Sequence, residues 1–217
     1  MDITSLHLAS VDHVLTTTRA VRKRLDLTRP VAPAILEKCL EIALQAPIGL
    51  SGETRHFVLV TDPEPRAAIA ALYRQAAAEA RSGTKPGDPY LAKLQITAAA
   101  DPRFAQQQRM FASGAHLIQH LHEVPVLVLA CIEGRVEHAG PGAQASLYAS
   151  ILPAVWSLML ALRARGIGSV LTTRHIHPFE REIAQLLEIP AEITQAALLA
   201  VAYFTGTDFK PARELIR

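Results

Sequence analysis

The sequence predicts an α+β or α/β sandwich in which helices cover the faces of a sheet. Residues 124–132 (VPVLVLACI) form a continuous apolar run, which is typical of a central strand covered on both faces. Residues 144–165 are apolar around most of a helix circumference, which is more than a surface helix needs. This helix is expected in the core or at a dimer interface. The order in which the strands pair is left open by the sequence.

The remaining helices and strands are predicted from the periodicity of apolar residues and from Gly and Pro residues that interrupt it. A first helix is expected over residues 11–18, and a second over residues 32–46, where an i, i+3, i+4 stripe ends at Pro47. Further strands are expected over residues 56–62, 169–173 and 196–204. Further helices are expected over residues 65–81, 103–123 and 179–187. Residues 82–90 (SGTKPGDPY) have the composition of an irregular loop.

Composition predicts one domain over residues 1–217, with a substantial core. The 22 basic and 20 acidic residues nearly cancel, so the net charge favours neither nucleic acid nor a membrane as partner. Cys39 and Cys131 each lie in an apolar run without CxxC spacing, as buried free thiols do, and they fit a reducing cytoplasm. The N-terminus has no signal-peptide pattern. Serines and Pro153 interrupt residues 145–164, which favours a buried helix over a membrane span.

Four cations lie within six residues at Arg19, Arg22, Lys23 and Arg24. Arg19 and Arg22 would share a face if this turn were helical, and arginine forks match phosphate oxygens. This is the best local anion site in the chain. On spacing alone, a solvated basic patch at a helix C-terminus is the simpler interpretation, because the helix dipole favours cations there.

Four segments, in order, resemble the nitroreductase family. The segment TTTRAVRKRLDLTRPV resembles its N-terminal signature, and ALQAPIGLSGETRHFVLV resembles its Ala-Pro loop and following strand. PAVWSLMLALRARGIGSVLTT resembles its interface helix and Gly-x-Gly-Ser turn, and IPAEITQAALLAVAYFTGTDFKPAREL its last strand and tail. In amino-acid sequence, the first and third segments most resemble actinobacterial-type members of the family.

The resemblance implies an α+β three-layer sandwich, with a mixed, mostly antiparallel sheet flanked by helices, and an intertwined homodimer that holds FMN at the subunit interface. It implies a ping-pong oxidoreductase that passes hydride from NADH or NADPH through flavin N5 to a small acceptor such as a nitroaromatic or a quinone. Because no Gly-x-Gly-x-x-Gly fingerprint follows a strand, the nicotinamide is expected to bind transiently over the flavin.

The resemblance also implies which residues hold the cofactor. Around the phosphate it places Arg19, Ala20, Arg22, Lys210 and Arg213. Along the flavin ring, often from the partner subunit, it places Pro47, Ile48, Gly49, Ser51 and Glu53. Beside the reactive face it places Leu171, Thr172, Thr173 and Arg174. No catalytic side chain is expected, since the cofactor carries the chemistry and the protein orients it.

The chain departs from the family pattern at five positions. Ala20 replaces a Ser, Ser51 and Glu53 replace an Asn and a Gln, Arg55 replaces a Trp, and Glu214 replaces a tail Arg. Lost hydrogen bonds to a charged phosphate weaken binding. Two alternatives therefore stay open: a flavin-sequestering protein with little turnover, and a relative with different flavin chemistry, such as flavin breakdown or deazaflavin-linked reduction.

Glu53 is the most consequential departure. An ionised carboxylate cannot donate a hydrogen bond, and it would repel the negative charge of reduced flavin. This predicts either a low flavin potential or a buried, protonated Glu53 with a raised pKa. Arg55 offers another outcome, because two residues along an extended chain its side chain can lie beside Glu53 and neutralise it.

The histidines and the tryptophan are weighed separately. His116 and His120 have helical metal-ligand spacing, with His122 nearby, yet an amphipathic helix end is the simpler interpretation. His175 and His177 follow a strand expected to border the flavin; ordinary loop histidines are favoured over substrate contacts. Trp156 is expected to pack in the core.

Overall fold

The computed structural model describes residues 7–49, 53–82 and 96–211. Its sheet has the order β1-β2-β4-β3, and all three strand pairs are antiparallel. The strands are β1 (Arg55–Val60), β2 (Val126–Glu133), β3 (Ile167–Thr172) and β4 (Ile193–Tyr203). A parallel bridge joins Ala20 to Ser169 beyond β3. The mixed, mostly antiparallel sheet predicted from the family resemblance is therefore confirmed.

The helices agree with the predicted ones, with ends shifted by a turn or less. They are α1 (Leu8–Thr17), α2 (Pro33–Ala43), α3 (Pro63–Ser82), α4 (Phe104–His120), α5 (Pro141–Arg163) and α6 (Ile176–Leu186). A 3₁₀ turn over Leu121–Glu123 replaces the predicted last turn of α4. The second helix ends earlier than predicted, at Ala43, and residues 44–46 form a turn before Pro47.

The side chains of β2 alternate between two cores, as the pleat of a strand requires. Val126 and Val128 pack in the core that contains residues of α2 and α5. Leu127 and Leu129 pack in the core that contains residues of α3, α4 and α6. The sheet therefore lies between two helical layers, and the predicted three-layer sandwich is confirmed.

Helix α5 is buried on one side only. Nine of its residues are buried, and the helix packs on α2 and on the sheet. By length and composition alone, with a mean hydropathy of 1.7, it could also cross a membrane, a test that core helices of soluble proteins pass as well. Its outer side leaves a stripe of exposed apolar residues, here called the α5 stripe. The stripe consists of Ala145, Ala149, Leu152 and Trp156.

The α5 stripe overturns one sequence prediction. Trp156 does not pack in the core of the chain, because it lies on the side of α5 that faces away from the sheet, where it is 44% exposed. Both cysteines are free and buried, as predicted. Burial raises the pKa of Cys131 to about 12, so this thiol stays protonated.

Candidate functional site

The basic segment does not continue helix α1. The hydroxyls of Thr16, Thr17 and Thr18 donate to carbonyls one turn back, at Asp12, His13 and Val14, and the helix ends at Thr17. The chain then pairs with β3, where the Val21 amide donates to the Ser169 carbonyl at 2.9 Å. The helical turn that would put Arg19 and Arg22 on one face is therefore absent, and the two side chains meet different surroundings.

Arg19 is held by the C-terminal segment of the described chain. Its guanidinium donates to the carbonyl of Lys210 and lies 5.1 Å from the centre of the Phe209 ring. The Lys210 side chain is exposed. Ala20 is exposed beside them and pairs with Ser169. Arg213 and Glu214 lie outside the described residues.

Two more arginines bind the same C-terminal segment. Arg24 donates to the carbonyls of Thr205, at 2.7 Å, and Thr207, and its guanidinium lies 4.2 Å from the Phe209 ring centre. Arg163, at the end of α5, donates to Asp208. Backbone carbonyls thus pair with Arg24, and a carboxylate pairs with Nη2 of Arg163, whose Nε has no hydrogen-bond partner among the described residues.

Arg22 differs from its neighbours because its guanidinium is poorly paired. Among the described residues its one hydrogen bond is a long one, from Nη1 to the Ser113 hydroxyl at 3.4 Å. Half-burial lowers the pKa of Arg22, although the guanidinium stays charged at neutral pH. A partly desolvated cation with free N–H donors is suited to an anionic ligand.

A buried tyrosine connects Arg22 to the end of β3. Tyr73 of α3 is 4% exposed, and its hydroxyl lies 2.9 Å from the Thr172 hydroxyl. The Arg174 guanidinium lies 6.0 Å from the Tyr73 ring centre, and ionisation of Tyr73 would raise the pKa of the nearby Arg22 guanidinium. We call Arg22, Tyr73, Ser113, Thr172 and Arg174 the Arg22 group.

The Arg22 group combines predicted and unpredicted residues. Two sequence-predicted positions beside it, Leu171 and Thr173, are half-buried and exposed respectively. Within this group Arg22 lies near Tyr73, and Tyr73 in turn contacts Thr172 and lies near Arg174. Tyr73 and Ser113 were not predicted from the sequence, because each lies in an ordinary amphipathic helix and belongs to no motif.

His175 is not an ordinary loop histidine, so that prediction is wrong for this residue. Its side chain is fully buried, and within the described part of the chain neither ring nitrogen has a hydrogen-bond partner. Burial lowers the pKa of His175 to about 4, so the ring is neutral at pH 7. His177 is exposed, as expected for a loop histidine.

A cleft of about 730 Å³ lies at the start of the Ala-Pro loop. Pro47, Ile48 and Gly49 form one wall, and α5 forms the opposite wall. A Cβ added to Gly49 would lie 3.8 Å from the Ser150 hydroxyl, so a side chain at this position would contact the α5 wall. The other lining residues are Ile132, Glu133, Ala143, Ser146, Leu147, Ala149, Ser150 and Pro153. Ser51 lies outside the described residues.

Glu53 is ionised and paired with Arg55. Its two carboxylate oxygens accept hydrogen bonds from Nε and Nη2 of Arg55, each at 2.7 Å. These bonds hold the pKa of Glu53 below its usual range. The side chain is 45% exposed, so the prediction that burial holds Glu53 protonated is wrong. Neutralisation by Arg55 is confirmed.

The Arg22 group and the cleft lie on opposite sides of the sheet within one chain. Tyr73 and Val170 belong to the core on the α3 side of the sheet, whereas Ile132 and Leu147 belong to the α2 and α5 side. Arg163, beside Thr17, is 13 residues along α5 from Ser150, or about 20 Å at 1.5 Å per residue. A single chain therefore does not bring the predicted phosphate-binding and ring-lining residues together.

The histidines of α4 lie at its exposed end. The rings of His116 and His120 are 4.4 Å apart, and His120 Nδ1 lies 2.6 Å from a Glu123 carboxylate oxygen. Within the part of the chain that the structure describes, no group of three or more His, Cys, Asp or Glu residues is placed to hold a metal ion.

Comparisons with known proteins agree on one family. The model of the nitroreductase family matches residues 15–203. No curated protein matches in a sequence comparison. The structure is similar to iodotyrosine deiodinase bound to FMN and 3-iodo-L-tyrosine, at 22% identity, covering 96% of this chain and 97% of that one, with a TM-score of 0.67.

Two nitroreductase structures are also similar. One, from Desulfitobacterium hafniense DCB-2 with bound FMN, has 14% identity over 95% of this chain and 93% of that one, with a TM-score of 0.63. The other, a mutant of an FMN and NADPH-dependent nitroreductase from sphigopyxis sp. strain HMH, has 22% identity over 90% and 88%, with a TM-score of 0.64. Since the family model covers most of its length, this chain belongs to the nitroreductase family.

Proposed function

We propose that this protein is an FMN-dependent oxidoreductase that takes hydride from NADH or NADPH and reduces a small electron-poor acceptor, such as a nitroaromatic or a quinone, by a ping-pong mechanism. Family membership supports the class of reaction. Two of the similar structures contain FMN, and one similar protein is described as NADPH-dependent. The two free, buried thiols favour a reducing cytoplasm as its location.

Arg22 is the observation that carries this proposal. Its guanidinium is half-buried, has one long hydrogen bond among the described residues, and lies where the resemblance places a phosphate. Arg19, Arg24 and Arg163 are already engaged by residues 205–210. The residues present therefore fit a phosphate group best at Arg22. Thr172 and Arg174, which lie beside Tyr73, would border the ring.

A second copy of the chain would complete the site. The α5 stripe runs along the outside of α5, and Leu8, Val11 and Leu15 form a second exposed apolar row on α1, which contacts α5. A two-fold interface uses the same surface on both chains. Packing two copies through this surface would cover both rows and would let the cleft of one chain approach the Arg22 group of the other. We propose a homodimer for this reason.

FMN, when bound, supplies hydride acceptance and donation at N5. The chain's own residues orient the group and exclude water. Arg22 would neutralise phosphate charge, while Pro47, Ile48 and Gly49 would present an apolar wall to the ring. Buried His175 is neutral at pH 7 and is shielded from solvent.

A visible spectrum tests the proposal most simply. The purified protein, with FMN added and excess removed, should retain flavin absorbance that bleaches anaerobically with NADH or NADPH and returns with a nitroaromatic or quinone. Retained colour that neither nucleotide bleaches would indicate a flavin-sequestering protein instead. Failure to retain or respond to FMN would contradict both.

A further inference from the structure

Arg55 is the most completely paired side chain near the cleft. Its side chain is 1% exposed. Nε and Nη2 donate to the two Glu53 oxygens, Nη1 donates to the Ala46 carbonyl at 2.9 Å, and Nη2 also donates to the Leu44 carbonyl at 3.0 Å. The Arg55 backbone amide donates to Glu53 as well, at 3.0 Å.

These bonds join chain segments on both sides of the cleft wall. Leu44 and Ala46 follow the end of α2, where helix carbonyls lack intrahelical donors, and Glu53 precedes β1. Pro47, Ile48 and Gly49 come directly after the carbonyls that Arg55 holds. A rigid, planar guanidinium with five donors can make all these contacts at once, which a lysine ammonium cannot.

From these contacts we infer that Arg55 is a positioning residue for the cleft: with Glu53 it forms a clip that fixes Pro47, Ile48 and Gly49 against α5 and so sets the ring-lining wall. The expected effect of Arg55 on FMN binding rests on the proposed function, whereas its expected effect on the position of the wall does not. Glu53 acts in the clip as the acceptor for Arg55, rather than as a repulsive charge facing the flavin.

The test compares Arg55→Lys and Glu53→Gln with a control, Arg66→Met. Arg66 also ties backbone carbonyls together, at Thr61, His122 and Val124, but it lies at the start of α3, away from the cleft. Hydrogen exchange at the Ile48 and Gly49 amides and the dissociation constant for FMN are measured for each variant. Folding is monitored by thermal unfolding.

Arg55→Lys should speed exchange at Ile48 and Gly49, because charge-assisted hydrogen bonds within the clip are lost. The loosened wall should raise the dissociation constant for FMN by about tenfold or more. Glu53→Gln should change both measurements in the same direction by a smaller factor, and Arg66→Met should change neither. Unchanged exchange in both clip variants would overturn the inference. If exchange rises while the unaltered protein ignores FMN, the clip stands and the proposed function fails.

Discussion

Arg55 and Arg22 are two partly or fully buried arginines in one chain, and they have opposite surroundings. Arg55 is saturated by a carboxylate and two carbonyls, and Glu53 raises its pKa. Arg22 has one long hydrogen bond among the described residues, and burial lowers its pKa. Since burying an unpaired charge costs free energy, a saturated cation is an architectural feature, whereas an underpaired one indicates a ligand.

This contrast predicts that Arg55 matters most for folding. Arg55→Met leaves the Leu44 and Ala46 carbonyls without donors and Glu53 without its partner, and it should lower the free energy of unfolding by about 3 kcal/mol. Arg22→Met should lower it by less than about 0.5 kcal/mol, because little pairing is lost. Urea unfolding measures both. Equal losses would mean that the two arginines have the same structural role.

The reverse order is expected for FMN binding. Arg22→Ala removes one charge-assisted contact to the phosphate and should weaken FMN by about 10- to 100-fold, while the unfolding midpoint stays near that of the unaltered protein. Fluorescence titration of FMN gives the dissociation constant. An unchanged dissociation constant would return Arg22 to the class of incidental surface cations.

His175, which follows Arg174 of the Arg22 group, predicts a pH dependence. Its folded pKa of about 4 lies below the ordinary value of 6.5, so the unfolded chain binds more protons between these two values. Stability therefore falls as pH drops through this window, by up to about 1.4 kcal/mol per pH unit, and is unaffected by His175 above it. His175→Leu should lose less stability than the unaltered protein between pH 7.5 and pH 5.5 in urea unfolding. Parallel losses in the two proteins would show that His175 is protonated in the folded state.

Arg24 should have the smallest effect on FMN. Carbonyls of Thr205 and Thr207 already occupy its guanidinium, so Arg24→Met should change the dissociation constant for FMN by less than about threefold. The same titration serves as the matched control for Arg22→Ala. Equal losses at Arg22 and Arg24 would indicate a diffuse basic patch without a specific phosphate contact.

The layers could be predicted from the sequence because burial leaves a direct pattern. β2 is buried on both faces, and its sequence is therefore a continuous run of apolar residues. The end of α1 was predicted to within one residue, but the conformation of the segment after it could not be predicted, because a tertiary contact decides it: Ala20 pairs with Ser169, far away in the chain. The one-face geometry of Arg19 and Arg22 failed for this reason.

The candidate site was partly predictable. The family resemblance gave Arg22, Thr172 and Arg174 as candidates, and local spacing predicted the Glu53 and Arg55 pair, which the structure contains. Tyr73 could not be found, since one tyrosine in an Ala-rich helix has no distinguishing pattern. Trp156 was misplaced, because an apolar side chain indicates burial without indicating whether the same chain or another copy covers it.

We propose that two chains share each FMN site, with Arg22 from one and the cleft wall from the other. Arg22→Ala and Gly49→Phe damage different halves; the second fills the space beside Ser150. Each variant alone should lose tight FMN binding. The two are then co-expressed with different affinity tags, and mixed dimers are purified through both tags.

In a mixed dimer, the subunits pair so that one site carries both changes and the other carries neither. FMN titration should therefore recover one tight site per mixed dimer, with the affinity of the unaltered protein. Absence of any tight site in the mixed dimer, or isolation of monomers only, would contradict a site shared between two chains.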